Sequence, residues 1–186
     1  MLFNSFTFIE FFLVVLLLLV MEQATTRRVA VRNALLLAAS YVFYGWFNVG
    51  FLLILLYVTL VNYFTGYLLT KAQDRQQTTD HGQRTKLCLG IGVVLSLLPL
   101  LFYKYAAFIM TNLQLLLGGD PHTDWLQGLA MPIGISFFTF QALSYSIDVY
   151  RGKITERCSL PDFMLFVVFF PTVLSGPIEK ARNLLP

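Results

Sequence analysis

The sequence has few charged residues: Asp, Glu, Lys and Arg make up only 12% of its 186 positions. A soluble domain usually carries about 25% charged residues. Hydrophobic residues account for 57% of the chain, and its mean hydropathy is +0.70. A soluble fold would need a larger core than a chain of this length can enclose. The composition therefore predicts an integral membrane protein, with membrane lipid as its surroundings.

Residues typical of catalytic and metal sites are also scarce. Cys88 and Cys158 lie 70 positions apart, without metal-ligand spacing. His81 and His122 fall in predicted loops on opposite sides of the membrane, where a histidine is usually solvated. The sequence shows no Ser/His/Asp set, no glycine-rich phosphate loop and no basic stripe with interleaved aromatic residues. These absences argue against a bound metal or cofactor and against a nucleic-acid partner.

Apolar residues are abundant, and they occur in blocks bounded by clusters of charge. Spanning helices and their loops alternate in this way. The pattern predicts an all-α fold, a polytopic transmembrane helical bundle. We expect helices near residues 6–21, 34–47, 51–70, 87–103, 105–117, 129–150 and 163–174. Pro99 is expected to kink the fourth helix, and Pro132 to lie in the first turn of the sixth.

The distribution of Lys and Arg predicts an orientation. Ten of the 13 basic residues lie in three alternate loops, 22–33, 71–86 and 151–158. Lys104, Lys180 and Arg182 are the remaining three. Basic residues concentrate in cytoplasmic loops, so we expect these three loops inside the cell and the N-terminus outside. Both cysteines then lie near the cytoplasmic face, where disulfides are rare.

Two predicted helices carry small and weakly polar residues at helical spacing. They form a stripe on one helix and a small-xxx-small pair on the next: Thr59, Asn62, Gly66 and Thr70, then Gly92 and Ser96. Such residues let helix backbones approach closely in lipid. Ordinary helix–helix contact is a better interpretation of them than a binding site.

Segment 129–150 carries polar residues on two helical faces. One face has Gln141, Ser144, Tyr145 and Asp148, and the other has Ser136, Thr139 and Ser146. Because such a helix suits lipid on neither face, we expect it inside a bundle. A carboxylate there needs a partner, and Arg151, three positions after Asp148, is the expected one. The spacing leaves two interpretations equally open: a cavity-lining helix, or a salt-bridged helix end at the cytoplasmic interface.

The C-terminal apolar run, 163–174, has about twelve residues, whereas a span needs about 20. Ser159 and Asp162 predict a capped helix start. Pro171 interrupts the run, and Ser175-Gly176-Pro177 ends it. We therefore expect a re-entrant or broken last helix, which is tolerated at membrane depth only beside protein or a water-filled cavity.

Several motifs resemble those of bacterial membrane-bound O-acyltransferases (MBOAT), most closely the alginate and peptidoglycan O-acetyltransferase type. The main one is PIGISFF at 132–138, continued by Gln141, Ser144-Tyr145 and IDVYRG at 147–152. Supporting stretches are LFNS at 2–5, NALLLAASYVFYGW at 33–46, FYKYA at 102–106 and FFPTVLSGPIEKARNLLP at 169–186. The candidate motif or substrate-channel residues are Ser136, Gln141, Ser144, Tyr145, Asp148, Arg151, Gly176 and Pro177.

The resemblance implies a ring of helices thinned at its centre into a funnel, in a bacterial cytoplasmic (inner) membrane. An acyl group, best taken as acetyl, would pass from a cytoplasmic thioester donor such as acetyl-CoA to an extracytoplasmic polysaccharide or cell-wall acceptor, alginate among them. Such proteins usually work with an extracytoplasmic partner transferase. The resemblance therefore predicts an enzyme of exopolysaccharide or cell-wall O-acetylation.

The chain departs from that family in length and in its histidines. Family members are more than twice as long, and their histidine follows the Gly-Pro-Ile segment, whereas His81 and His122 precede it. We therefore expect residues 1–186 to be the N-terminal part of a single transmembrane domain, inactive without the remainder, and assign no catalytic residue. The alternative is a small non-catalytic membrane subunit or scaffold.

Overall fold

Helices account for most of the computed structural model, which describes residues 6–25, 28–74, 81–116, 131–154 and 158–170. Over these ranges the chain forms six helices and no strand: α1 (Phe6–Thr25), α2 (Val29–Gly45), α3 (Val49–Asp74), α4 (His81–Leu116), α5 (Ile135–Tyr150) and α6 (Leu160–Val168). The all-α class expected from composition and periodicity is confirmed.

Three of these helices are long and apolar enough to cross a membrane. Their apolar parts are Phe6–Thr25, Val49–Ala72 and Gln83–Ala106, with mean hydropathies of 2.1, 1.9 and 2.1. A hydrocarbon core about 30 Å thick needs about 20 residues of helix, and each segment reaches that length. The prediction of a helical membrane protein is confirmed by these segments.

Helix α4 is continuous where the sequence suggested two helices, near 87–103 and 105–117. The expected break was wrong because Lys104 is an exposed residue that the helix carries without interruption, with its ammonium 5.5 Å from the Tyr105 ring. Pro99 lies inside the helix. The helical assignment continues on both sides of this proline, and the kink expected there stays a prediction.

Helix α5 begins at Ile135, and Pro132 precedes it instead of lying in its first turn. Gly134 has φ of 75°, a left-handed conformation that glycine adopts without strain, and it forms the N-cap. The carbonyl of Pro132 accepts a hydrogen bond from the Ile135 amide at 3.2 Å. The expected start near 129 was therefore too early, because a turn comes between Pro132 and the helix.

Helices α2 and α3 also differ from the expected 34–47 and 51–70. Helix α2 covers Val29–Gly45, and helix α3 covers Val49–Asp74. The helical backbone extends over Arg32 and Asn33 near the start of α2 and over residues 71–74 at the end of α3, beyond the apolar pattern. Helix α2 ends two residues earlier than expected, because a turn follows at Trp46 and Phe47.

Helix α6 covers only Leu160–Val168, about 14 Å in length, and is too short to cross the membrane. Its start is as predicted: the Ser159 hydroxyl caps it by accepting a hydrogen bond from the Asp162 amide. The helix ends earlier than the expected 174, because Phe169 leaves the helical conformation, with ψ of 109°. Phe170 precedes a proline in the sequence, which also disfavours helix. Gly176 and Pro177 lie outside the described residues.

Helix α5 occupies the centre of the bundle, packed against α3, α4 and α6. Along Ile135–Tyr150 every side chain is buried or half-buried except Phe140, which is 47% exposed. Helix α2 packs against α1, α3 and α6. The expectation that the helix with two polar faces lies inside a bundle is confirmed.

Candidate functional site

The centre of the bundle contains a buried polar network that joins three helices. Asn62 on α3 donates from its amide nitrogen to the Ser96 hydroxyl on α4 at 2.8 Å. The Ser146 hydroxyl on α5 donates to Asn62 Oδ1 at 2.9 Å. All three side chains are buried. Asn62 of the α3 stripe thus joins Ser96 of the small-residue pair on α4 to Ser146 on the second polar face of α5.

Two glycines allow the helices to approach closely around this network. A Cβ atom at Gly66 would lie 2.4 Å from a ring carbon of Tyr145. A Cβ at Gly92 would lie 2.4 Å from the Thr65 hydroxyl oxygen. Neither distance is possible for real atoms, so α3 packs against α4 and α5 only because these positions have no side chain. The predicted role of these small residues in packing is confirmed.

Gln141 and Thr139 each place a polar atom in the apolar interior. Gln141 Nε2 donates to the Phe166 carbonyl at 2.6 Å, which joins α5 to α6. Its Oε1 atom and the hydroxyl of Thr139 are buried and have no hydrogen-bond partner among the residues that the structure describes. Unsatisfied buried polar atoms are uncommon and call for a reason. Here both lie on the helix that carries the main sequence motif.

The other polar residues of the motif helix have less distinctive surroundings. Tyr145 is buried against Phe163, with ring centroids 4.6 Å apart. Ser144 is half-buried and donates to the Gln141 carbonyl of its own helix at 2.7 Å. Ser136 is half-buried in the first turn of α5. The predicted stripe therefore faces α3 and α6, and Ser136 lies at the opposite end of the helix from Asp148.

The partner of Asp148 is Lys153, so the expected pairing with Arg151 is wrong. Lys153 Nζ lies 3.9 Å from Asp148 Oδ1, whereas Arg151 is the exposed C-cap residue of α5. The Lys153 amide donates to the Asp148 carbonyl, and the Gly152 amide to the Val149 carbonyl, both at about 3 Å. Gly152 has φ of 68°, which completes a Schellman motif. This turn brings Lys153 back over the helix end.

Contacts between distant segments connect α2 to α5 and α6, and sequence reasoning did not identify them. Asn33 Nδ2 donates to Asp162 Oδ1 at 2.9 Å, and the Tyr44 hydroxyl donates to the Ile133 carbonyl at 2.9 Å. The Phe170 amide donates to the Ser40 hydroxyl at 3.2 Å. Stretch 33–46 therefore contacts the turn before α5 and residues near both ends of α6. The sequence feature that could have indicated these contacts is the presence of Asn33 and Ser40 in a segment that is otherwise mostly apolar.

The histidines and cysteines do not form a reactive cluster within the described ranges. His81 is the first residue of α4 and does not lie in the expected loop, because the helix extends further towards the N-terminus than the apolar pattern indicates. His122 lies outside these ranges. Cys88 and Cys158 are free thiols. No group of three or more His, Cys, Asp or Glu residues comes together there in a geometry that could hold a metal ion.

Comparison with known proteins identifies clear relatives. The chain is 39% identical over 157 residues to a probable alginate O-acetylase of Azotobacter vinelandii, a match that covers 83% of this chain and 30% of that protein. It is 41% identical to the corresponding Pseudomonas aeruginosa protein, over 83% and 29%. It is also 30% identical over 211 residues to the peptidoglycan O-acetyltransferase of Helicobacter pylori, covering 100% and 38%. No family model and no solved structure matches.

The extent of these matches bears on the motif helix. A match over 83% of the chain omits less than a fifth of it, so it includes α3, α4 and α5 whichever end is omitted. The chain spans about a third of the length of the curated relatives it matches. The similarity therefore concerns one part of those proteins, and the matched part of this chain includes Asn62, Ser96 and Ser146.

Proposed function

We propose, since the chain belongs to the membrane-bound O-acyltransferase family, that it forms the N-terminal part of an enzyme that transfers an acyl group across a bacterial membrane. Acetyl is the proposed group, because the relatives that match over more than four fifths of this chain include alginate O-acetylases and a peptidoglycan O-acetyltransferase. The proposed acceptor is an extracytoplasmic polysaccharide or cell-wall polymer, and the proposed donor is a cytoplasmic thioester, acetyl-CoA.

The observation that supports this proposal most directly is the position of the motif helix. Helix α5 is enclosed by α3, α4 and α6, and two of its buried polar atoms have no partner among the described residues. The Oε1 atom of Gln141 is one of them. A wall that encloses a polar substrate path needs such groups, whereas a helix that only packs in lipid does not. We infer that α5 forms part of the wall of that path.

The chemistry itself is proposed to lie outside this chain. The two histidines precede the motif in sequence, so neither matches the family histidine. The motif residues are then positioning and packing groups, and the chain alone is inactive. A partner transferase on the extracytoplasmic side is part of the proposal.

A chimeric enzyme tests the proposal. The chain replaces, in frame, the N-terminal segment that it matches in an alginate O-acetylase, in cells that lack their own enzyme. We expect the chimera to restore O-acetyl groups on secreted alginate, whereas the chain alone and the truncated relative alone should each give none. The acetyl content of purified alginate is the measurement. A chimera with the family histidine replaced is the control, because it should reach equal abundance without transfer.

A chimera that inserts at normal abundance and transfers no acetyl group would contradict the proposal. If the chain by itself were also a monodisperse, long-lived monomer in detergent, the small non-catalytic subunit would be the better interpretation. Rapid degradation of the isolated chain together with an active chimera is the result expected here.

A further inference from the structure

A groove runs along the outer surface of α3 and α4, away from the polar network. Its cavity volume is about 750 Å³. Apolar side chains line most of it, and they recur at helical spacing on both helices, among them Leu60, Phe64, Leu87 and Ile91. The groove therefore offers a continuous apolar channel between two helices that span the membrane.

The floor and the far end of the groove are fixed by specific contacts. Thr65 and Gly92 both line it, and the lack of a side chain at Gly92 lets Thr65 pack against the α4 backbone. At the far end the Tyr57 hydroxyl donates to the Leu95 carbonyl at 3.2 Å. These contacts hold the two helices together beneath the groove and limit its length.

The near end of the groove is polar and basic. Gln83 and Arg84 line it there. A second cavity of about 390 Å³ shares Leu68, Arg84 and Cys88 with the first and adds Lys71. The groove thus passes from an apolar channel to a mouth with two cationic side chains.

The dimensions of the groove match one leaflet of a bilayer. Arg84 and Leu95 are eleven helical positions apart, which corresponds to about 16 Å along α4. Half of a hydrocarbon core about 30 Å thick is close to this value. A basic mouth at the membrane surface with an apolar channel one leaflet deep is complementary to an anionic lipid, because each Lys or Arg near the surface attracts anionic headgroups.

We propose that this groove binds an anionic phospholipid, with an acyl chain along α3 and α4 and the phosphate headgroup between Lys71 and Arg84. The site is separate from the acyl-transfer path and does not depend on it. From the electrostatic attraction of a basic residue near the surface, each cation contributes about fivefold to the preference for an anionic over a zwitterionic lipid.

Photolabelling of the chimeric enzyme tests the proposal. The chimera is synthesised in a cell-free system into phosphatidylcholine nanodiscs that contain a minor fraction of phosphatidylglycerol with a diazirine in its acyl chain. A parallel sample carries the same diazirine on phosphatidylcholine. Mass spectrometry should map the phosphatidylglycerol adducts to 57–68 and 84–95, several-fold above the phosphatidylcholine adducts. Raising the salt concentration should reduce this difference, because the attraction is electrostatic.

Matched variants distinguish the effect of the basic side chains on lipid binding from the effect of the shape of the groove. Lys71→Gln and Arg84→Gln should each lower phosphatidylglycerol labelling about fivefold. Lys104→Gln removes an exposed cation further along the same helix and should leave it unchanged. Ile91→Trp fills the groove and should reduce labelling by both lipids, whereas Leu101→Trp, an exposed position outside the groove, should not. Helix content by circular dichroism identifies any variant that fails to fold.

Equal labelling by the two lipids, or labelling unaffected by both salt and the two charge variants, would overturn the proposal in favour of ordinary surrounding lipid. Adducts that map elsewhere and are absent from the groove would also overturn it, because protein and not lipid would then cover this face.

Discussion

The hydroxyl of Ser146 lies 2.9 Å from Asn62 Oδ1, although the two residues are 84 positions apart in the chain. The same Asn62 donates to Ser96 on a third helix. A hydrogen bond between helices in lipid contributes about 0.6 kcal/mol on average and up to about 1.7 kcal/mol. Two such bonds at one residue make Asn62 the point at which α3, α4 and α5 are held in register.

Replacing Asn62 with leucine should destabilise the bundle by about 1–3 kcal/mol, because Ser146 loses its buried side-chain acceptor. The midpoint of helix loss in sodium dodecyl sulfate, measured on the detergent-solubilised chimera, provides the test. Asn112→Leu is the matched control: Asn112 is exposed on α4 and donates a hydrogen bond to the Phe108 carbonyl of its own helix. Equal midpoints for both variants would show that the network has no stabilising role.

Gly66→Ala should separate α3 from α5 and cost about 1–3 kcal/mol, because the new methyl group would lie 2.4 Å from the Tyr145 ring. Gly90→Ala tests the same change where no atom lies within 4 Å, and it should leave stability unchanged or raise it slightly. The same unfolding measurement compares the two variants. If both behaved alike, the close approach of α3 to α5 would be wrong.

Asp148→Asn should lower folded protein and acyl transfer together, and only moderately, because Lys153 is 43% exposed and such pairs contribute under about 1 kcal/mol. Exchanging the charges of Asp148 and Lys153 should restore part of both quantities. Exchange with Arg151 should restore neither. Abundance and acetyl content of alginate, measured on the chimera, distinguish these outcomes. Normal abundance with abolished transfer would instead place Asp148 in the handling of the acyl donor.

The thiol of Cys158 should react slowly with alkylating reagents in a Cys88→Ser background. Burial raises its pKa from 9.0 to about 12, and the Asp162 carboxylate adds to the effect. The thiolate is the nucleophile, so its fraction at pH 8 falls about a thousandfold relative to a thiol with the usual pKa. The iodoacetamide rate should keep rising up to about pH 11. A plateau near pH 9, as expected for an exposed Arg151→Cys control, would contradict this pKa.

The same rise in the pKa of Cys158 makes the stability of the folded chain depend on alkaline pH. The folded state favours the protonated form, so its contribution to stability is complete below about pH 9 and is lost as the pH rises towards 12.

The orientation of the chain remains a prediction from its basic loops. Single cysteines at Thr78 and Thr123, in a background lacking both native cysteines, are exposed to a membrane-impermeant thiol reagent in intact cells. Position 123 should be labelled and position 78 protected, because basic loops stay inside. The reverse pattern would overturn the orientation. Labelling after permeabilisation confirms that both positions can react.

Local periodicity predicted the parts of the fold that depend on one helix at a time. The stripe through Asn62 and Gly66 identified the packing face of α3, and polar residues on two faces of α5 predicted its burial. The Ser159 cap was also visible, because a cap depends on residues three positions apart. These features require no knowledge of which helices are neighbours.

Features that depend on a turn of the chain or on contacts between distant segments could not be predicted from local periodicity. Counting positions on a helix suggested Arg151 as the partner of Asp148, but the turn at Gly152 selects Lys153. The contact of Tyr44 with Ile133 joins residues 89 positions apart, and no local pattern encodes it. The exposed Lys104 suggested a break because a charge within an apolar run resembles a loop, although it does not disrupt helical backbone.

The hydrogen bonds of Asn33 and Ser40 with Asp162 and Phe170 have a consequence for biosynthesis. Their partners follow them by 129 and 130 positions, so at 5–20 residues per second they leave the ribosome about 6–26 s later. The aromatic contacts of Phe43 on α2 with Phe8 and Phe11 on α1 can form as soon as these two helices have been synthesised. Helix α2 is thus held first by its apolar side, and its hydrogen bonds with Asp162 and Phe170 form only after α6 has been synthesised.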